Sequence, residues 1–285
     1  MDSLRLVDGW PVEAAAVGVV TPAGGVQSTG PCDRVFAWAS VTKPATALAV
    51  LVATEEGTLS LDEPAGPEGS TVRHLLAHAS GLGSDPGPAL APPGTSRIYS
   101  NAGYQVLADL VTERAGMPFA EYLTEGVLEP LCMVGTGLRP DAAGDAAAGL
   151  AGPLDDLLAL GREWAAPTLI SADTHRAATS VQFVGLGGVL PGYRRFDPCD
   201  WGLGVEIRGQ KQPHWTGTNG APATYGHFGR SGAFLWVDPV AGVLCAGLSD
   251  RPFGLWAVRA WPVLADAVLA EVGTGPISGG HVDPR

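Results

Sequence analysis

Two of the 285 residues are lysine, against fifteen arginines, and nowhere does the chain cluster its cations. Nucleic-acid binding needs grouped Lys and Arg facing phosphates, and the formal charge of −12 argues against such a partner. The densest cationic spot, Arg194–Arg195, fits a solvated loop. No uninterrupted apolar run approaches the ~20 residues that span a bilayer, so no membrane partner is expected. The four cysteines, Cys32, Cys132, Cys199 and Cys245, lack CxxC spacing and read as reduced, mostly buried thiols. The N-terminus carries Asp2, Asp8 and Glu13 where a signal peptide would be basic and then apolar, so a cytoplasmic location is expected. There is no phosphate-binding glycine loop. His74 and His78 have the i, i+4 spacing of a zinc helix, but Leu75 stands where the metalloprotease glutamate would be, so core or loop-supporting roles fit better. Neither cofactor nor metal is expected.

What the chain does have is apolar mass: 46% hydrophobic and 16% charged residues suit a globular protein with a sizeable core. Residues 12–20 and 25–30, separated by the turn-forming TPAG, predict a β-hairpin. The segment FAWASVTKPATALAVLVATEEG (36–57) then predicts a helix apolar on every face, hence buried, stopped near Gly57. Ser70 or Thr71 is placed to cap a short helix through VRHLLAHA, ended by Gly81. Further helices are predicted in YSNAGYQVLADLVTERAG up to Gly116, in FAEYLTEGVLEPL and in DDLLALGREWA, with a small-residue, flexible stretch at 141–152. From residue 201 the pattern changes: WGLGVEI, GAFLWVD and VLCAGLSD read as an antiparallel meander, followed by a closing helix over Trp256–Val272 with Pro262 at its start or at a kink. Strands at both ends and helices between them predict an α+β fold: one antiparallel β-sheet built from both termini, flanked by helices, with an inserted helical lobe.

Lys43 sits in the most apolar part of this sequence, three residues after Ser40. At i and i+3 on a helix the two side chains share a face, about 5–6 Å apart at Cβ. Ser40 lies at the helix's N-terminal edge, where free N–H groups favour a developing negative charge. Burial and the same dipole lower a lysine's pKa, and a neutral amine can take a serine proton. Alone the pair proves little, because roughly one chain in ten of this composition holds a Ser-x-x-Lys by chance. Two further sets bear on it. Tyr99-Ser100-Asn101 supplies a phenol or phenolate to relay a proton and an amide to hold the lysine or a substrate carbonyl; the competing reading is that Tyr99 packs and Asn101 caps a helix. His227-Phe228-Gly229 opens the meander, where the Arg230 N–H can pair with that of Ser40 as an oxyanion hole; a locally bonded strand histidine is the competing reading.

Read together, SVTK (40–43), YSN (99–101) and HFG (227–229), with their flanks, resemble the penicillin-recognising serine enzymes, in the branch of class C β-lactamases, D-amino-acid peptidases and related esterases. The resemblance covers residues 12–272. It implies a serine β-lactamase/DD-peptidase-like fold, with Ser40 as acylated nucleophile, Lys43 and Tyr99 as proton-transfer partners and Asn101 as an orienting group. His227 and the Gly229–Arg230 backbone would form the far wall. The chain departs from many relatives in having His-Phe-Gly for Lys-Thr-Gly, and an imidazole holds a carboxylate less firmly than an ammonium. It is also short between Gly152 and Tyr225.

The expectation is one catalytic domain over 1–272, its sheet part near 1–58 and 201–272, its lobe near 59–200, and a flexible tail over 273–285. It would be a serine hydrolase of small ester, amide or lactam substrates, foremost an intracellular esterase or small amidase. The alternatives are a β-lactamase or D-amino-acid peptidase, an acyltransferase, and an inactive ligand-binding relative serving as sensor or scaffold. Gly229-Arg230-Ser231-Gly232-Ala233 misses the last glycine of a nucleophile elbow and leads into a strand instead of a helix. Asp155-Asp156 reads as helix capping. Trp38, Trp201, Trp215 and Trp236 are candidates to line an acyl pocket, each with a core role as the simpler account.

Overall fold

A computed structural model describes residues 1–139 and 145–273. After an N-terminal 3-10 stretch come β1 (Ala15–Val20), β2 (Val26–Thr29) and β3 (Phe36–Ala37). A 3-10 turn over Ala39–Val41 leads into α1 (Thr42–Glu55), then α2 (Val72–Leu76), α3 (Ala102–Ala115) and α4 (Phe119–Leu123), which continues as a π-turn. The chain goes on through β4 (Gly137–Leu138), β5 (Leu150–Gly152), α5 (Leu154–Ala165), α6 (Ala172–Ala178), β6 (Gly188–Val189), β7 (Arg195–Phe196) and β8 (Glu206–Ile207). It closes with β9 (Tyr225–Phe228), β10 (Phe234–Asp238), β11 (Val243–Ser249) and α7 (Leu255–Gly273).

The main sheet is antiparallel with order β2-β1-β11-β10-β9-β8, so strands from the two ends of the chain meet at the β1–β11 pairing, Val17 opposite Gly247. The α+β arrangement expected from the sequence is therefore present. Strand alternation gives this sheet two apolar faces. One, carrying Ala16, Leu235 and Leu244, packs with α1 and α5 in the larger core. The other, carrying Val17, Trp236 and Cys245, packs under α7 around Trp215 and Trp261. Helix α1 is buried from Thr42 to Ala53, as its all-round apolar sequence requires.

Several local expectations need correction. WGLGVEI is not a strand along its length: only Glu206–Ile207 pair with β9. Gly204 takes φ +95, and a Cβ there would lie 2.1 Å from Ala47 Cβ, so the segment bends to lie against α1 instead of extending along the sheet. Helix α2 ends at Leu76, short of Gly81, because His78 turns to φ 55. Thr71 occupies the N-cap position of α2, yet its hydroxyl bonds the His74 ring and no side chain caps the helix. Leu150–Gly152, inside the stretch read as flexible, is a strand of a second small sheet, β3-β5-β4; 141–144 lie outside the described residues, as does all of the expected tail but Gly273. Asp156 does not cap α5. Its carboxylate accepts from Gly135 N and Thr136 Oγ1. Of the four cysteines, all free, Cys199 and Cys245 are buried, while Cys32 is half-buried and Cys132 exposed.

At the edge of the main sheet Glu206 is 1% exposed and carries a dense polar network. Its carboxylate meets Lys211 Nζ at 2.8 Å, His214 Nε2 at 2.9 Å and Trp215 Nε1 at 2.8 Å. Burial alone would push this carboxyl up, but His214 and Lys211 outweigh it and hold it well below the usual carboxylate range. Breaking a buried pair strands the remaining charge, typically at about 3–5 kcal/mol. We expect Glu206→Leu to lose stability of that order in urea unfolding, and Glu206→Leu combined with Lys211→Met to lose much less than the single variant. Equal losses would mean that the pair is not the unit that matters.

Candidate active site

Lys43 and Ser40 do share a face at the start of α1, with Ser40 in the preceding 3-10 turn. Ala39, just before it, holds φ 45, a conformation that costs a non-glycine residue about 1–3 kcal/mol. The Lys43 side chain is wholly buried. Its Nζ lies 2.7 Å from Asn101 Oδ1, 3.0 Å from the Ala147 carbonyl and 3.4 Å from Ser40 Oγ. Burial lowers the lysine pKa from 10.5 to about 7, against the pull of the Asp145 charge. An uncharged amine has two hydrogens and one lone pair. The two partners that only accept, Asn101 Oδ1 and the Ala147 carbonyl, take the hydrogens, which leaves the lone pair for the Ser40 hydroxyl.

Asn101 occupies the N-cap position of α3 but makes no capping bond. Ser100 Oγ accepts the Gly103 N–H instead, at 2.8 Å, and Asn101 Nδ2 donates to Ser84 Oγ at 3.0 Å. The capping account of Asn101 is thus replaced: its neighbour caps, and the amide is free to orient the lysine. The Tyr99 ring lies 4.7 Å from Lys43 Nζ. Burial drives its pKa far above the ordinary value, opposed by a hydrogen bond with Ser40 and by the Arg230 charge, so it is a phenol at neutral pH and the phenolate alternative falls away.

The end of β9 closes the opposite wall. Gly229 is packed so tightly that a Cβ there would come within 2.3 Å of the Trp38 carbonyl oxygen and 3.1 Å of Ser40 N. Only glycine lets the two backbones approach in this way. Arg230 follows Gly229 in the chain, and neither its N–H nor that of Ser40 has a main-chain partner among the described residues. His227 faces the same space, with Nδ1 2.8 Å from the Phe228 carbonyl oxygen.

These residues border a cleft of about 1180 Å³, which includes Ser40, Tyr99, Asn101, His227 and Arg230. Its apolar wall comes from Ile98, Val189, Leu190, Phe228 and Phe253. Of the four tryptophans considered, only Trp201 borders it; Trp38, Trp215 and Trp236 are core. Sequence reading missed the Ala147 carbonyl, Ser84 and the 188–192 wall. A carbonyl carries no residue signature, and Ser84 had only its place in a Gly/Pro-rich loop to mark it. No group of side chains able to hold a metal occurs among the described residues, and no helix there is long and apolar enough to cross a membrane.

A family model described as Beta-lactamase matches residues 6–269. The chain belongs to the beta-lactamase family. A solved beta-lactamase from Mycobacterium bovis is 52% identical to this beta-lactamase-family chain, with TM-score 0.92, covering 95% of it and 99% of that protein. Penicillin-binding protein 4* of Bacillus subtilis (strain 168) is 29% identical over 134 residues, 35% of this chain and 30% of that one. A putative D-alanyl-D-alanine carboxypeptidase of Salmonella schwarzengrund (strain CVM19633) is 26% identical over 200 residues, 56% of this chain and 46% of that one. The chain thus spans less than half the length of these curated relatives. EstCE1, a hydrolase with promiscuous acyltransferase activity, shares the fold at TM-score 0.77 and 19% identity, over 94% of this chain and 96% of that one.

Proposed function

We propose that this family member is a serine hydrolase acting through an acyl-enzyme on Ser40, with small esters or amides as substrates. The observation that carries the proposal is the disposition of Lys43: a buried amine whose two acceptor-only partners leave its lone pair toward Ser40 Oγ. In the first step Lys43 Nζ takes the hydroxyl proton while Oγ bonds to the substrate carbonyl carbon. The carbonyl electrons move to oxygen, held by the Ser40 and Arg230 N–H groups. Collapse expels the alcohol or amine, which receives a proton through Tyr99 and Lys43. Water then adds to the acyl carbon, the Ser40 ester bond breaks, and Oγ regains its proton. Lengths such as 3.4 Å between base and nucleophile are usual before substrate binds.

The apolar wall of the cleft favours esters with uncharged acyl groups. One observation favours a second reading, hydrolysis of a lactam or a D-amino-acid peptide. Arg230 is exposed at the cleft, has no carboxylate partner among the described residues, and offers its guanidinium to an anionic substrate group. The names of the curated relatives and of the Mycobacterium bovis structure point the same way. The test is intact-mass spectrometry after mixing with p-nitrophenyl acetate or with a chromogenic β-lactam. We expect a transient adduct on the peptide carrying Ser40, which decays as product appears. A stable adduct without turnover would favour an inactive binder, and no adduct on that peptide would remove Ser40 from the mechanism.

A further inference from the structure

The mechanism above leaves one buried polar atom, on a side chain that borders the cleft, unused. His227 is 3% exposed and borders the cleft. Its Nδ1 faces the Phe228 carbonyl oxygen at 2.8 Å, and a carbonyl only accepts, so Nδ1 carries the hydrogen. Nε2 is buried and has no partner among the described residues. Protonating it as well would place a cation in a dry wall close to Lys43, and burial and that neighbour lower the imidazole pKa to about 3. Nε2 is therefore a bare lone pair. The ring is held between Trp201, with centroids 5.5 Å apart, and Tyr99, at 5.9 Å. A buried acceptor left unmatched is unfavourable, and a ligand that completes it gains accordingly.

We propose that His227 Nε2 is an acceptor subsite, selecting esters or amides that carry an uncharged O–H or N–H donor near the scissile carbonyl. The inference rests on the hydrolase reading and narrows its substrate class. Position sets the reach. His227 and Gly229 are two residues apart on one side of the chain, about 6.6 Å along a strand, and Gly229 lies against the Ser40 backbone. A donor meeting Nε2 thus sits a few bonds from the carbonyl carbon. A carboxylate at the same place would bring lone pair against lone pair, so the polarity of this wall is opposite to that of a lysine-bearing one.

Two matched ester pairs test it, with a free hydroxyl or its methyl ether on the acyl chain in one pair and on the alcohol in the other. We expect the hydroxyl member of at least one pair to lead in kcat/KM by about ten- to a hundredfold. That ratio should fall to near one in His227→Phe. ¹⁵N-histidine NMR of the free protein, which needs no substrate or variant, should show His227 protonated at Nδ1 and bare at Nε2. Ratios near one in wild type, with turnover that depends on Ser40, overturn this inference alone. A proton on Nε2 does the same. Absence of Ser40-dependent turnover of every ester overturns the hydrolase reading, and this inference with it.

Discussion

Ser40→Ala loses turnover of a chromogenic ester by a factor on the order of 10⁴ or more, to the background of a cleft that binds without a nucleophile. The magnitude follows from the proposed chemistry, in which Ser40 Oγ, facing the Lys43 amine, is the attacking atom. The substitution removes one oxygen from a half-buried site and leaves the Lys43 bonds to Asn101 and Ala147 intact, so the thermal midpoint should stay within a few degrees of wild type. Steady-state kinetics and a thermal melt on the same preparation check both halves. A folded alanine variant with more than a tenth of wild-type turnover would place the chemistry elsewhere.

The second large effect belongs to Lys43. With a pKa of about 7 in the folded protein, the amine is mostly charged below pH 7 and mostly neutral above it. Only the neutral form accepts the Ser40 proton. In wild type, kcat/KM should therefore rise about tenfold per pH unit on the acid side and level off above about pH 7. Lys43→Met should lose about 10²–10⁴-fold on the plateau, the usual worth of general-base help, and lose the acid limb with it. The same pKa makes a stability statement. Lys43 is lowered from 10.5 to about 7 on folding, so the unfolded chain binds more protons between those values and wild-type stability rises with pH across that window. The burial cost is fully present below about pH 7 and absent above about 10.5. Relative to wild type, the methionine variant should be at its most favourable at or below pH 7, with the difference shrinking toward pH 10.5. A limb that survives in the methionine variant would assign the titration to another group.

The legible part of this molecule was the part written in neighbouring residues. Ser40 and Lys43 lie one helical turn apart, and an all-apolar helix has to be buried, so the depressed lysine could be read before any coordinates. The hairpins β1–β2 and β10–β11 were equally local, set by alternation and by turn residues. Reading failed where two distant backbones meet. WGLGVEI has strand composition, but Gly204 must pass α1 at Ala47, and that contact bends the segment. Asn101 has the composition of a cap, but Ser100 takes that role.

Residue order alone determined which groups the proposed chemistry draws on: a hydroxyl and an amine at i and i+3, a phenol and an amide two residues apart, and an imidazole at the start of a meander. Tertiary structure decided their states. It removed water from Lys43, occupied its hydrogens with Asn101 and a main-chain carbonyl at Ala147, kept Tyr99 protonated, and left the His227 Nε2 buried without a partner among the described residues. The reason is physical. Side-chain identity is covalent and local, whereas pKa and hydrogen-bond polarity come from the solvent and dipoles around a group, which only the folded chain supplies.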